Sequence, residues 1–387
     1  MEYFLTEEQQ MIKELAARIA EERVKPVAAE LDEKEEFPWE IMSILAEADL
    51  FRVWVPEEYG GLGGGVFEQA LVVEELSKAC SGVAVSYAAS GLGAFPILLY
   101  GSEEQKNRYM PDIASGKRLA AFALTEADAG SDVSAIATTA VKDGDDYVLN
   151  GTKQWITNAG DAEIYVVIAV TDKSKGARGS SAFIVEKGTP GLSFGKKEKK
   201  LGIRASSTRE VILENCRIPK ENLLGREGLG FVVAMKTFDK TRPGIGAQAV
   251  GIAQGALDVA VNYARERVQF DQPISSFQGV QFMLADMATQ TEAARALVYS
   301  AAKMADSGVG NISKAAAMAK LFASDVCMKV TVDAVQVLGG YGYMREYPVE
   351  KMMRDAKITQ IYEGTNQIQR SIIALELVRE AARKSRK

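Results

Sequence analysis

From residue 8 to residue 31 the apolar positions fall at helical intervals. "EQQMIKELAARIAEERVKPVAAEL" sets Met11, Ile12, Leu15, Ile19 and Val24 on one face. Pro26 bends or ends that run, because it has no N–H to give the ladder. Residues 38–55 make a second helical segment. "PEEYGGLGGG" follows as a turn-rich loop, and residues 66–79 make a third helix. Residues 82–101, "GVAVSYAASGLGAFPILLYG", are apolar and rich in small side chains. That suits a helix packed on every side, or one lining a pocket.

Between residues 121 and 226 the pattern changes. "DDYVLNGTKQWITNAGDAEIYVVIAVTD", "GSSAFIVEKGTPGLSFG" and "TREVILENCRIP" carry short β-branched and aromatic runs broken by Asn-Gly and other turn signals. No helix-length pattern separates them, which argues against a dinucleotide-binding βαβ unit. From residue 227 onward the helical period returns in three long segments. The first is interrupted near Pro243, and all carry apolar residues at three and four, as in a bundle. The expected fold class is therefore α+β, with an N-terminal helical domain (1–120), a middle antiparallel β domain (121–226) and a C-terminal helical bundle (227–387). A β domain inserted between helical ones creates clefts, a common place for a cofactor.

Composition narrows the chemistry. Of 387 residues, 47% are apolar and 25% charged, and the formal net charge is −6. No basic block is long enough to suggest nucleic acid. The start, "MEYFLTEEQQ", resembles neither a signal nor a transit peptide, and no apolar run approaches the roughly 20 residues of a membrane span. A cytoplasmic, bacterial protein is expected. Cys80, Cys216 and Cys327 are far apart and lack metal-ligand spacing, which fits a reducing compartment. The chain contains no histidine. That excludes a Ser-His-acid triad, histidine bases and histidine-ligated zinc, and no metal site is expected. Any proton transfer falls to Glu, Asp, Lys, Tyr, Cys or a cofactor.

Several stretches could hold chemistry. "LTEADAGSDV" is either a solvent turn held by an Asp cap or a small-residue cradle for a flat ring or an anion. Trp155 in "WITN" covers a ring system or packs in a core. In "YARERVQF", Arg265 suits a surface salt bridge, while Arg267 could bind a phosphate. The glycine pair in "QVLGGYGYMREYPVEKMMRDAKI" is either a helix C-cap or a close approach to a pyrophosphate. It leads into "TQIYEGTNQIQR", where Glu363 stands between Tyr362 and a Gly-Thr pair. Buried there, Glu363 would have a raised pKa and could act as a base.

Together and in order, these stretches resemble the acyl-CoA dehydrogenases, a flavoprotein family, over nearly the whole chain. "LTEADAGSDV" is similar to one family signature, with Ala127 where proline is common. Residues 336–370 are similar to a second, and "FDKTRP", "ERVQF" and "NGTKQWITN" agree. The resemblance implies FAD in the cleft, an acyl-CoA thioester as substrate, electron-transferring flavoprotein as electron acceptor, and a homotetramer built as a dimer of dimers. It implies that Glu363 takes the Cα proton while the hydride from Cβ goes to the flavin, giving a trans-2-enoyl-CoA. The thioester oxygen accepts from the backbone N–H of Glu363 and a flavin ribityl hydroxyl. Some members carry the base on the "FDKTRP" helix, where this chain has Thr241.

The same resemblance assigns the remaining roles. Phe122, Leu124 and Thr125 line the flavin edge, and Ser131 lies near its phosphates or the thioester. Trp155 and Thr157 cover the ring. Arg267, Phe270, Gln336, Gly339 and Gly340 reach the FAD of an adjacent subunit. Asp271, where glycine is common, points away. Thr365 and Gln367 touch the cofactor beside Glu363, and Asp239, Arg242, Tyr362 and Gly364 flank the substrate. The helix from Ala84 to Ala94 forms part of the acyl wall, with Ala84 where members that accept a second carboxylate carry arginine. Gly244, Ile245 and Gly246 leave room opposite. The expected substrate is an uncharged acyl-CoA of about four to eight carbons, within the coarse discrimination of an apolar pocket. A branched or cyclic acyl group such as cyclohexane-carbonyl, an acyl-CoA oxidase, and a non-catalytic flavin or CoA scaffold are the rivals.

Overall fold

The structure, a computed structural model, describes residues 3–308 and 310–385. The outermost residues of the spans 1–120 and 227–387 therefore lie outside the described residues. The N-terminal helices are α1 (Glu7–Ile19), α2 (Ala28–Lys34), α3 (Trp39–Glu47), α4 (Val66–Ala79), α5 (Ser81–Tyr100) and α6 (Glu103–Ala114). Thr6 and Ser102 cap α1 and α6 by accepting from the N–H of Gln9 and Gln105, each the reciprocal half of a capping box. Pro26 perturbs the first run without ending it. The backbone widens to a π-turn over Ala20–Val24, tightens to a 3₁₀ turn over Lys25–Val27, then resumes as α2. Ile19 and Val24 are buried as the periodicity expects, but Met11 is 68% exposed, so the buried stripe of α1 is narrower than the sequence suggests.

The β domain holds strands β1 (Ala120–Ala123), β2 (Thr139–Asp143), β3 (Asp146–Thr157), β4 (Ile164–Val170), β5 (Ser180–Glu186), β6 (Leu192–Phe194), β7 (Thr208–Pro219) and β8 (Leu223–Leu224). They run in the order β6-β7-β3-β2-β4-β5-β8, with β1 beside β4. The expected antiparallel pairing holds along most of the sheet, with two parallel exceptions. β1 pairs parallel with β4, Ala120 opposite Ile164, and β2 meets the end of β4 in parallel at Thr139 and Val170. The chain enters the sheet from α6 and crosses before pairing, a choice that strand composition does not encode.

The bundle comprises α7 (Gly230–Glu266), α8 (Gln278–Asp306), α9 (Ser313–Leu338), α10 (Val349–Ala356) and α11 (Asn366–Lys384). The expected interruption near Pro243 does not occur, since α7 runs 37 residues through it. Proline there removes one ladder bond, and burial of the surrounding turns against α4, α5, α8 and α9 outweighs that local loss. The expectation of no apolar run of spanning length also needs correction. Ser81–Tyr100 and Gly230–Glu266 are long and apolar enough to cross a membrane, but 78% of each such window is buried inside the protein. Their apolar surface is already used in packing, α5 against α7 and β1.

Candidate active site

One cleft lies where α5, α7, the β1 edge, β3 and the residues before α11 converge. Phe122, Leu124, Thr125, Trp155 and Thr157 line one side, and Tyr362 and Glu363 line it with Thr241, Gly244 and Ile245 of α7. Seven of the predicted site residues are thus brought together from sequence positions more than 200 residues apart.

Trp155 reaches the cleft because β3 is irregular. The β3–β7 register shifts between Lys153 and Ile156, and Trp155 adopts φ 56°. A bulge of this kind re-aims a side chain. The indole is 57% exposed, so it is a wall of the cleft rather than core. The edge at Leu124–Thr125 is held from behind. Lys153, with no exposed surface, donates from Nζ to Leu124 O (3.0 Å) and to Glu126 Oε1 (2.7 Å). Glu126 also accepts from the backbone N–H of Ala137 (2.6 Å) and Thr138 (2.9 Å). Burial pulls the Lys153 ammonium down to about 8 while Glu126 opposes that. Burial would raise the Glu126 carboxyl, but Lys153 and these donors hold it below its ordinary value.

Glu363 sits in a left-handed backbone conformation, φ 52°, followed by Gly364 at φ 92°. For a non-glycine residue this is a strained position that the surroundings must enforce. They do so through the carbonyls. Arg242 Nε donates to Glu363 O (3.2 Å), Lys320 Nζ donates to Gly364 O (2.9 Å), and Gln369 Nε2 donates to both, at 3.2 and 2.9 Å. Lys320 also donates to Asn366 Oδ1 at 2.8 Å. With its carbonyl anchored on the protein side, Glu363 keeps its own N–H free of any protein acceptor among the described residues. The carboxyl accepts one bond, from Thr241 Oγ1 to Oε2 at 2.7 Å.

Burial raises the Glu363 pKa to about 7, against the opposing pull of the Thr241 hydroxyl, Arg242 and Lys320. Burial lowers Lys320 to about 7 as well, and the Glu363 carboxylate is what holds it up. A carboxyl that is half ionised near neutrality, beside a free N–H, suits proton abstraction next to a carbonyl whose oxygen needs a donor. Tyr362 is fixed beside it by donating to Gln248 Oε1, while Gln248 Nε2 donates to Ser81 Oγ at 2.7 Å.

Other predicted residues lie elsewhere. Arg267, Gly339 and Gly340 line a separate groove with Tyr263, Tyr341 and Met344, where the Arg267 guanidinium lies 5.5 Å from the Tyr341 ring centre. Gln336 is exposed on the last turn of α9 beside it. Phe270, 86% exposed, and Asp271 form the tip of a short hairpin with φ 51° and 60°. Ser131 is exposed and does not line the Glu363 cleft. Neither do Thr365, whose hydroxyl caps α11 by accepting from Ile368 N (3.3 Å), nor Gln367, exposed on that helix. Asp239 and Arg242 are buried behind the cleft, Asp239 accepting from Ser313 Oγ at 2.7 Å. Arg242 and Gly364 contribute by fixing the backbone of Glu363 rather than by lining the pocket.

The acyl wall differs from the expectation at two positions. Ala84 is fully buried and does not line the cleft, because α5 presents Val85, Ala88, Ala89 and Leu92 instead. A Cβ on Gly246 would meet Val298 of α8 at 2.7 Å, so the opposite wall is Gly244 and Ile245. Among the described residues that line the cleft, Glu363 is the only charged one. Sequence reasoning missed Lys320, Lys153, Glu126 and Gln69, and it treated Thr241 only as a lost base. Lys320 and Gln69 show in the sequence only as polar residues within helical segments, while Lys153 and Glu126 fall inside the stretches "NGTKQWITN" and "LTEADAGSDV" without being singled out.

The cleft and the Glu363 carboxyl that lines it point to a class. Family models for the N-terminal, middle and C-terminal domains of acyl-CoA dehydrogenase match residues 6–117, 121–216 and 228–378. The chain belongs to the acyl-CoA dehydrogenase family and is an oxidoreductase. Among individual relatives, a Bacillus subtilis acyl-CoA dehydrogenase is 49% identical over 375 residues, 97% of this chain and 99% of its own. An acryloyl-CoA reductase (NADH) of Anaerotignum propionicum is 49% identical over 381 residues, 98% and 96% of the two chains. The structure of butyryl-CoA dehydrogenase from Megasphaera elsdenii is similar with a TM-score of 0.95 at 47% identity, covering 98% of this chain and all of the other (100%).

Proposed function

We propose that this protein catalyses the FAD-dependent α,β-dehydrogenation of an uncharged short-to-medium acyl-CoA thioester, passing electrons to electron-transferring flavoprotein. The observation that carries the reading is Glu363, a half-buried carboxyl with a pKa near 7 facing a cleft opposite Trp155 and Thr157. The residues fit a flavin. The half-exposed Trp155 indole and the hydroxyls of Thr125 and Thr157, which have no protein partner among the described residues, offer a flat face and donors in one wall. FAD, when bound, supplies the acceptor for the hydride leaving Cβ. Phe122, Leu124, Thr125, Trp155 and Thr157 would hold its ring.

Glu363 takes the Cα proton onto its carboxylate, and its unpartnered N–H donates to the thioester oxygen as negative charge develops there. Arg242, Lys320 and Gln369 keep that N–H and carboxylate aimed together. The relative that acts on butyryl-CoA supports a short acyl chain, and a lining whose only charge is Glu363 disfavours a second carboxylate on the substrate. The separate groove of Arg267, Gly339 and Gly340 fits a phosphate-bearing group of a neighbouring subunit, consistent with a homotetramer. Anaerobic bleaching of the flavin with butyryl-, hexanoyl-, octanoyl-, isovaleryl-, glutaryl- and cyclohexane-carbonyl-CoA tests the reading. Preference for glutaryl-CoA would overturn the uncharged substrate. Hydrogen peroxide formed in air at the rate seen with electron-transferring flavoprotein would make the protein an oxidase.

A further inference from the structure

Gln69 is a buried polar residue in an otherwise apolar part of the cleft. It lies on α4, is 3% exposed, and lines the cleft beside Val85, Ala88, Ala89 and Leu92 of α5 and Gly244 and Ile245 of α7. Its Nε2 is enclosed and has no hydrogen-bond partner among the described residues. Its amide lies directly over Gly91, where a Cβ would come within 2.0 Å of Nε2. The missing side chain at Gly91 therefore makes room for the amide at this wall. A buried amide nitrogen without a partner is costly, and native proteins retain one mainly where a ligand or water completes it. Rotation about Cγ–Cδ offers the cleft either the NH₂ or the carbonyl, so a hydroxyl, which both donates and accepts, matches it best.

We propose that Gln69 is a specificity-determining residue, and that the substrate's acyl chain carries an uncharged oxygen group, a hydroxyl or a carbonyl, which hydrogen-bonds its amide. This rests on the reading of the cleft as an acyl-CoA site and refines it from an uncharged chain to one with a polar position. An alkyl chain of the same size would shut water out while leaving the amide unpaired. A site built for a hydrogen bond rejects the analogue lacking it far more strongly than an apolar pocket rejects an added methylene.

The test compares thioesters matched in heavy atoms, 5-hydroxypentanoyl-CoA against hexanoyl-CoA and 6-hydroxyhexanoyl-CoA against heptanoyl-CoA. Kd is measured on the flavin-loaded Glu363→Gln protein, and kcat/KM on the wild type. The inference expects at least one hydroxylated thioester to be preferred by roughly tenfold or more in Kd. It expects Gln69→Leu to reverse that preference, with Gln69→Met as a second apolar replacement should the first not fold. An alkyl preference in the wild type, or a preference unchanged by either replacement, overturns it, and the wild-type measurement depends on no variant. If the hydroxylated ester binds selectively but no thioester bleaches the flavin, the dehydrogenase reading fails and the role of Gln69 stands. If hexanoyl- and heptanoyl-CoA are turned over with no loss relative to their partners, the dehydrogenase reading stands and the role of Gln69 fails.

Discussion

Thr241 Oγ1 donates to Glu363 Oε2 at 2.7 Å, joining the middle of the longest helix to the carboxyl that faces the cleft. The hydroxyl cannot act as a base, but it stabilises the ionised form of the one that can. Replacing Thr241 with Val should therefore shift the ascending limb of kcat against pH to higher pH and leave the plateau largely intact. A limb that stays in place would remove Thr241 from this role.

The wild-type limb itself should lie near pH 7, where Glu363 titrates. The same group carries a stability signature. Folded, it holds its proton up to about 7, against an ordinary value of 4.5, so between those values the folded state binds more protons than the unfolded one. Its contribution to stability falls as pH rises through that window. Lys320 behaves oppositely above it. Its folded value is about 7 against 10.5, so the folded state binds fewer protons there, and its contribution improves as pH rises. Thermal unfolding of wild type, Glu363→Gln and Lys320→Met from about pH 5 to about pH 10, which covers most of both windows, would show whether each slope disappears with its group.

Glu363→Gln should lower kcat by roughly two to four orders of magnitude, the usual worth of a positioned base. The amide is nearly isosteric, so flavin content should be retained. Turnover near the wild-type level would assign proton abstraction to another group.

Lys153→Met should be more damaging to the fold than its distance from Glu363 suggests. It leaves the buried Glu126 carboxylate, facing two backbone donors, without its cation, and it frees Leu124 O. Breaking a buried pair from one side costs about 3–5 kcal/mol, and the two backbone donors that stay on Glu126 put the expected loss toward the lower figure. Calorimetry should show a lower Tm, and flavin should be lost more readily because the Leu124–Thr125 edge is no longer held. Unchanged Tm and flavin content would show that the pair is dispensable.

Arg267→Ala should weaken flavin retention and subunit association together if the second groove serves a neighbouring copy. Sedimentation and flavin absorbance report the two independently. A monomeric wild type with full flavin occupancy would contradict the shared site.

Local pattern was enough to place the helical, β and helical regions, because side-chain periodicity and turn residues act within a few positions of themselves, whereas Glu363 was marked by the resemblance of its motif. The motif around Glu363 is contiguous, so its presence was legible. The conformation that makes it useful was not, since φ 52° at Glu363 is enforced by Arg242 and Gln369, and the following carbonyl by Lys320, a residue 44 positions away from Gly364. The continuity of α7 through Pro243 and the parallel pairing of β1 with β4 likewise depend on contacts between distant segments. Which face of α5 lines the cleft was decided by how α5 rotates against α4, α7 and β1. A shift of one residue, from Ala84 to Val85, moves a side chain about 100° around a helix. Gln69 was invisible for the same reason. In the sequence it is one of several polar residues on α4, beside Glu68, Glu74 and Glu75, and only the close approach of α4 to Gly91 of α5 puts its unpaired Nε2 at the wall of the cleft.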